Sequence, residues 1–298
     1  MPKIQYINKK FSKASREIID RANGILEEYT AQGYDLTLRQ LYYQFVARDI
    51  LKNDQKEYSR LGSIINKARL AGETDWDHIT DRTRNLEGSS HWDSPADIIE
   101  TAKHSFRTDK WENQEYYIEC WVEKDALVGV LERICREIDI NWFSCRGYTS
   151  QSEMWAAARR LMGKHGKKTV VLHMGDHDPS GIDMTRDIRD RLALFGSSVQ
   201  VERIALNMNQ IEKYRPPPNP AKLTDSRCGK YIKEYGSKSW ELDALEPSVL
   251  SRLVAAHAAI YRDDDLYDIA AADEARGIEF LDRVVEQWPE VEAFLSES

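Results

Sequence analysis

Residues 168–183 read KTVVLHMGDHDPSGID, and the fold turns on them. KTVVLHMGD (168–176) is a buried-type strand ending in Asp176, with Asp178 two residues on and PSG leading into a helix, GIDMTRDIRDRLALFG (181–196). A strand without polar alternation belongs in a sheet covered on both faces. The same grammar extends outward. YYIECWV (116–122) is a strand stopping at Glu123, followed by a helix at 125–138 and the strand NWFSCR (141–146). A helix at 151–166 precedes the central strand, and VQVERIAL (199–206) follows it. Strands alternating with helices of this length predict a mainly parallel α/β sheet with crossover helices.

Upstream the pattern is helical. Residues 11–32 predict a helix ending near Gly33, a second helix starts after Asp35 and Thr37 and runs to about Asp49, and a third spans 57–71 and stops at Gly72. The polar stretch 76–87 fits a short hairpin, so three helices and a hairpin outline a winged helix at 1–90. Ser94-Pro95 opens a connecting helix within 91–114. The sheet unit covers 115–247, with 214–221 (three prolines) as an extended loop, and 248–298 reads as an acidic helical extension.

Of 298 residues, 41% are apolar and 31% charged, with a net charge of -8. By segment the charge is +2 over 1–90, -3 over 91–204 and -7 over 205–298. An acidic total therefore leaves room for a nucleic-acid face at the front, because the local field decides. No apolar run approaches a membrane span, and the first twenty residues lack the apolar core of a secretory signal. Cys120, Cys135, Cys145 and Cys228 form no zinc spacing. They fit reduced thiols, so a cytoplasmic protein without a membrane partner is expected.

Side chains just past the C-terminal ends of parallel strands gather along one rim, where such sheets bind ligands. Glu123, Asp176 and Asp178 are placed there, and the two aspartates point the same way if the chain stays extended. Three clustered carboxylates repel unless a cation joins them, and hard oxygen ligands favour Mg2+. The plainer alternative is that these acids cap helices. His173 and His177 are assigned to packing.

The helix containing TLRQLYYQFV (37–46) carries adjacent tyrosines. At about 100° per residue, Leu38, Leu41, Tyr42 and Phe45 share one stripe, while Arg39 and Tyr43 fall together off it as an i,i+4 pair. Tyr42 is predicted in the core and Tyr43 as the presented hydroxyl. A tyrosine nucleophile needs its pKa, ordinarily about 10, brought down. The Arg39 guanidinium favours the phenolate and can hold a phosphate. On the next helix Arg60, Ser63 and Lys67 lie opposite the apolar stripe, a face suited to DNA phosphates, with Arg82 and Arg84 on the hairpin. The basic cluster at Arg159, Arg160, Lys164, Lys167 and Lys168 reads either as DNA-facing or as solvated surface.

RQLYY, then VEKDAL and GDHDPSGID, with KLTDSR and SWELDAL further on, together resemble the A subunit of topoisomerase VI and its meiotic relatives, over roughly residues 35–250. The resemblance implies a winged-helix domain carrying the nucleophile and a Toprim domain carrying Mg2+. Tyr43 maps onto the nucleophile, Arg39 onto the preceding arginine, Glu123 onto the Toprim glutamate, and Asp176 and Asp178 onto the aspartate pair. It implies double-stranded DNA as partner, cleavage by transesterification with Tyr43 left on the 5' end, and Glu123 either binding metal or shuttling a proton. A homodimer is also implied, in which the tyrosine of one chain meets the acids of the other. The chain is shorter than the usual A subunits and carries no GxxxxGK[ST] loop. ATP-driven strand passage would thus fall to a separate GHKL-type ATPase subunit. Two further readings stand beside this one: a Toprim nuclease that hydrolyses DNA with activated water, and a DNA-binding scaffold without catalysis.

Overall fold

In the computed structural model, which describes residues 3–79, 90–221 and 224–296, the strand at 168–174 is central in a parallel sheet. It is β3 (Lys168–Met174), flanked by β1 (Tyr116–Val122) and β4 (Gln200–Ala205), with β2 (Asn141–Ser144) outside β1. The strand order is β2-β1-β3-β4, with every pair parallel.

Alternate residues of β1 serve opposite faces. Ile118, Cys120 and Val122 join a core with α5 (Val128–Glu137) and α10 (Pro247–Ala259). Tyr117 and Trp121 join another with α6 (Gln151–Met162) and α7 (Pro179–Leu194). Burial on both faces explains why Val170, Val171 and Leu172 follow one another in β3 without polar alternation. Helix α10, expected as the start of an appended extension, is instead part of the sheet's core through Leu250, Val254 and Ala258.

The front of the chain folds as α1 (Lys13–Ala31), α2 (Leu38–Ala47) and α3 (Gln55–Leu70) around their own core. Ser12 and Asp54 cap α1 and α3, and Thr37 with Gln40 forms a capping box on α2. Of the expected hairpin, 80–87 lies outside the described residues, and Arg82 and Arg84 with it. At its described end Ile79 bridges Leu36 in parallel.

Helix α4 (Pro95–Ser105) begins with the anticipated Ser94 cap and proline. It runs along α11 (Asp264–Glu286), where Phe106 fills the space that a Cβ at Gly277 would need, and Lys103 meets Asp282 at 2.8 Å. Neither α11 nor α12 (Trp288–Ser296) buries a described residue. Among the described residues no helix is long and apolar enough to cross a membrane.

The segment after α8 (Met208–Tyr214) joins the two halves. Rather than a free loop, Asn219–Pro220 forms β5, paired antiparallel with β6 (Lys238–Ser239) on the far side of α9 (Cys228–Tyr235). Trp240 and His177 then exchange backbone hydrogen bonds of 2.8 and 2.9 Å. A single 3-10 turn, Leu242–Ala244, follows and sets Ala244 into the core of the front helices.

Gly181, in the first turn of α7, has no room for a side chain: a Cβ there would collide with the carbonyl oxygen of Asp176. Gly181→Ala should cost about 1–3 kcal/mol, as overpacking does. Gly229→Ala, in α9 with nothing within 4 Å, should be neutral or stabilising by up to about 1 kcal/mol. Denaturant unfolding of the two variants checks the contrast.

Candidate functional site

The register Val122↔Met174 sets the strand ends of β1 and β3 side by side. The amide of Glu123 donates to the Met174 carbonyl at 2.9 Å, and the Glu123 Oε2 accepts the Asp176 amide at 2.9 Å. Gly175 sits between them, where a Cβ would come within 2.9 Å of that same Oε2. Gly175 thereby leaves the β1 carboxylate close access to the backbone just past β3.

The buried Asp176 faces the other way. Its Oδ1 accepts the Leu242 amide at 2.8 Å, and its Oδ2 pairs with Lys124 Nζ at 3.0 Å. Asp178 caps α7, its Oδ1 accepting the Gly181 amide at 2.7 Å and the Ser180 hydroxyl at 2.9 Å. The three acids therefore do not form the ready cluster expected of them. Asp176 and Asp178 line one cleft of about 270 Å3, and Glu123 is not on its wall. Among the described residues no three Asp, Glu, His or Cys side chains are grouped to hold a metal ion. The physical reason is that backbone amides, a hydroxyl and an ammonium satisfy each carboxylate separately.

Four residues that the sequence reading did not single out organise this rim. Lys124 Nζ lies 2.8 Å from Glu241 Oε2 and 3.0 Å from Asp243 Oδ1, besides Asp176. Arg39 closes the network from α2, pairing with Glu241 and, at 3.2 Å, with the fully buried Asp243. Beneath the loop, Arg203 donates to the carbonyls of Gly175, Asp176, Gly181 and Leu206 and to the Thr185 hydroxyl. Two signals were legible: an arginine inside the apolar strand VERIAL, and a second acidic pair at spacing two in SWELDAL.

Burial pushes the Asp176 carboxyl up to about 7 against the pull of Lys124, with Glu123 and Asp243 adding to the rise. Burial likewise raises Glu123, and Asp178 adds to it. For Glu241 burial acts upward too, but Lys124 and then Arg39 overcome it and hold the carboxyl at about 2. Lys124 itself is held above the ordinary lysine range: burial would lower it, and Asp243, Asp176 and Glu241 outweigh burial. His173 and His177 are neutral, lowered by burial to about 3 and 4. They serve packing, hydrogen-bonded to Thr185 and Tyr231.

The tyrosine helix departs from expectation. Tyr42 is 4% exposed and Tyr43 3%, so Tyr43 is not a surface hydroxyl. The helical wheel misses this because α2 has two buried sides, one against α1 and α3 and the other against the Leu242–Ala244 turn. Arg39 Nη2 does reach the Tyr43 hydroxyl, at 3.5 Å, and both residues line the cleft shared with Asp176, Asp178 and Glu241. The expected lowering of the phenol does not occur. Burial raises its pKa, Asp243 and Glu241 raise it further, and Arg39 only partly opposes them. One chain lines a cleft with both the tyrosine and the aspartates, whereas the resemblance brings them together across two copies.

On α3, Arg60, Ser63 and Lys67 are exposed opposite Leu61, Ile65 and Ala68, although Arg60 is paired with Glu57 at 3.0 Å. The second basic cluster is largely structural. Arg160 grips the buried Glu119 with two hydrogen bonds, Lys167 caps the carbonyls of Trp111, Glu112 and Gln114, and Lys164 lies over the Tyr117 ring.

The donor chemistry of the rim fits a hard divalent cation. Glu123, Asp176, Asp178, Glu241 and Asp243 are all oxygen donors, and the cations that interact with them are Lys124, Arg39 and Arg203. Two formal negative charges remain, and an ammonium already stands where a cation would neutralise Asp176. The chain matches no family model, no curated protein and no solved structure.

The raised carboxyls make a pH prediction. A group whose folded pKa lies above its unfolded value of about 4 contributes stability that is complete below that value and lost as pH rises. For Asp176 the window runs from about 3.8 to about 7. Without divalent ions, the stability of Asp176→Asn relative to the parent should therefore grow from pH 5 to pH 8. Urea unfolding at the two pH values measures it, and a constant difference would refute the assignment.

Proposed function

We propose that this chain is a Mg2+-dependent DNA-cleaving subunit of the topoisomerase VI A type, with a winged-helix front unit, a Toprim-type sheet unit and Tyr43 as nucleophile. The shared cleft carries the reading: Arg39 and Tyr43 of α2 and Asp176 and Asp178 of the β3 end line one cavity. A volume of about 270 Å3 accommodates a backbone phosphate, not a duplex. DNA would lie across the mouth and present one linkage, with Arg60, Ser63 and Lys67 contacting neighbouring phosphates.

In this reading Tyr43 Oη forms a bond to phosphorus as the P–O3' bond breaks, the phenolic proton passes to water in the cleft, and the departing O3' takes up a proton. Arg39, released from Glu241, would hold the phosphate's charge and favour the phenolate. Asp176 and Asp178 would hold a Mg2+ that offsets charge on the phosphate oxygens. Glu123, raised by burial, would join them or hold the proton for O3'. The phosphotyrosine bond conserves the energy for resealing. Cutting both strands takes two copies of the chain, and strand passage takes a separate GHKL-type ATPase subunit.

One observation favours a second reading, hydrolysis by water. In the arrangement described, Tyr43 is buried with its pKa raised and Arg39 is bound to Glu241 and Asp243. The two readings predict different products on supercoiled plasmid with Mg2+. Transesterification leaves protein covalently attached to 5' ends, and Tyr43→Phe lowers cleavage roughly 10³-fold or more. Hydrolysis leaves free ends, with Tyr43→Phe cutting near the parent rate. Asp176→Ala should stop cleavage under either, and normal cutting by that variant would overturn the metal assignment.

A further inference from the structure

We propose that Lys124 is the resident counter-ion of the acidic rim, and that a divalent cation entering at Asp176 displaces its ammonium from that carboxylate. The inference rests on the reading of Asp176 as a metal ligand. Its ground is geometric: Lys124 Nζ has anionic oxygens of three residues within 3.0 Å, namely Asp176 Oδ2, Glu241 Oε2 and Asp243 Oδ1. Convergence of three carboxylates on one ammonium makes a buried ion network, not a surface ion pair.

Of the cations around the rim, Lys124 is the one built to move. Arg203 is locked beneath the loop by four backbone carbonyls and Thr185. Arg39 enters from α2 and makes no ion pair with Asp176. Lys124 ends in a point charge on a flexible four-carbon stem, free to turn without losing a planar fork of hydrogen bonds. When it gives up Asp176 it keeps Glu241 and Asp243, so the ammonium shifts within the site and is not expelled uncompensated. Those two carboxylates also hold Arg39, so a Lys124 moved fully onto them competes with the guanidinium beside Tyr43.

Mg2+ binding to the full chain, read by calorimetry, tests the exchange apart from any cleavage activity. Lys124→Met removes the competitor and should bind Mg2+ about tenfold more tightly, the factor a unit charge a few ångströms from a dication is worth even at the dielectric of water. Lys124→Arg keeps the charge and should stay within about threefold of the parent. Equal or weaker binding by Lys124→Met overturns the proposal. Acetylation of the unaltered chain with acetic anhydride, read by mass spectrometry, covers the case of a variant that does not fold. Lys124 should be modified faster at saturating Mg2+, where two carboxylates hold it in place of three, than without metal; reactivity that stays flat or falls while Mg2+ binds overturns the exchange alone. An unaltered chain that binds no Mg2+ overturns the exchange and the metal reading together.

Discussion

The ammonium of Lys124 among the carboxylates of Asp176, Glu241 and Asp243 is the constraint on which the site depends. It ties the β3 end to the turn after Trp240, beside the backbone bridge that Trp240 makes with His177. Through Glu241 and Asp243 it also reaches Arg39 on the tyrosine helix. Taking so many charges out of water is costly unless each finds a partner. Here the partners come from the front helices, the sheet rim and the chain between them, so the relative placement of the halves and the electrostatics of the rim are one problem.

That coupling explains the condition of the tyrosine. In isolation α2 would present Arg39 and Tyr43 together, and the guanidinium would favour the phenolate. In the folded chain Asp243 and Glu241 compete for the same guanidinium and raise the phenol themselves. A phenol held in this way stays protonated, and lowering its pKa would require the charge partners to be redistributed. The rim's carboxylates exceed its cations, and one of those cations is a lysine.

Beneath the rim the arrangement is rigid. Arg203 ties the backbone of Gly175, Asp176 and Gly181 from below, Glu123 ties it from β1, and Gly181 lets the first turn of α7 approach the Asp176 carbonyl. Desolvation lowers Arg203 to about 10, which still leaves the guanidinium charged at neutral pH. The backbone beneath the rim is thus fixed by its own contacts, and the exchange proposed at Lys124 involves side chains alone.

By itself the sequence determined the main helices and parallel strands up to about residue 206, and the rim on which Glu123, Asp176 and Asp178 fall. Each of these follows from local periodicity and from the rule that parallel strands end together. The caps at Thr37 and Ser94 were equally legible, because a cap is a contact within four residues. Tertiary structure alone decided the burial of Tyr43, the capture of Arg39 by SWELDAL, the place of α10 in the sheet core and the separate partners of the three acids. A helical wheel assumes one buried side, and α2 has two. Carboxylates close together on a rim need not converge on one ion when amides and an ammonium from distant segments satisfy each of them, and such partners are set by the path of the whole chain.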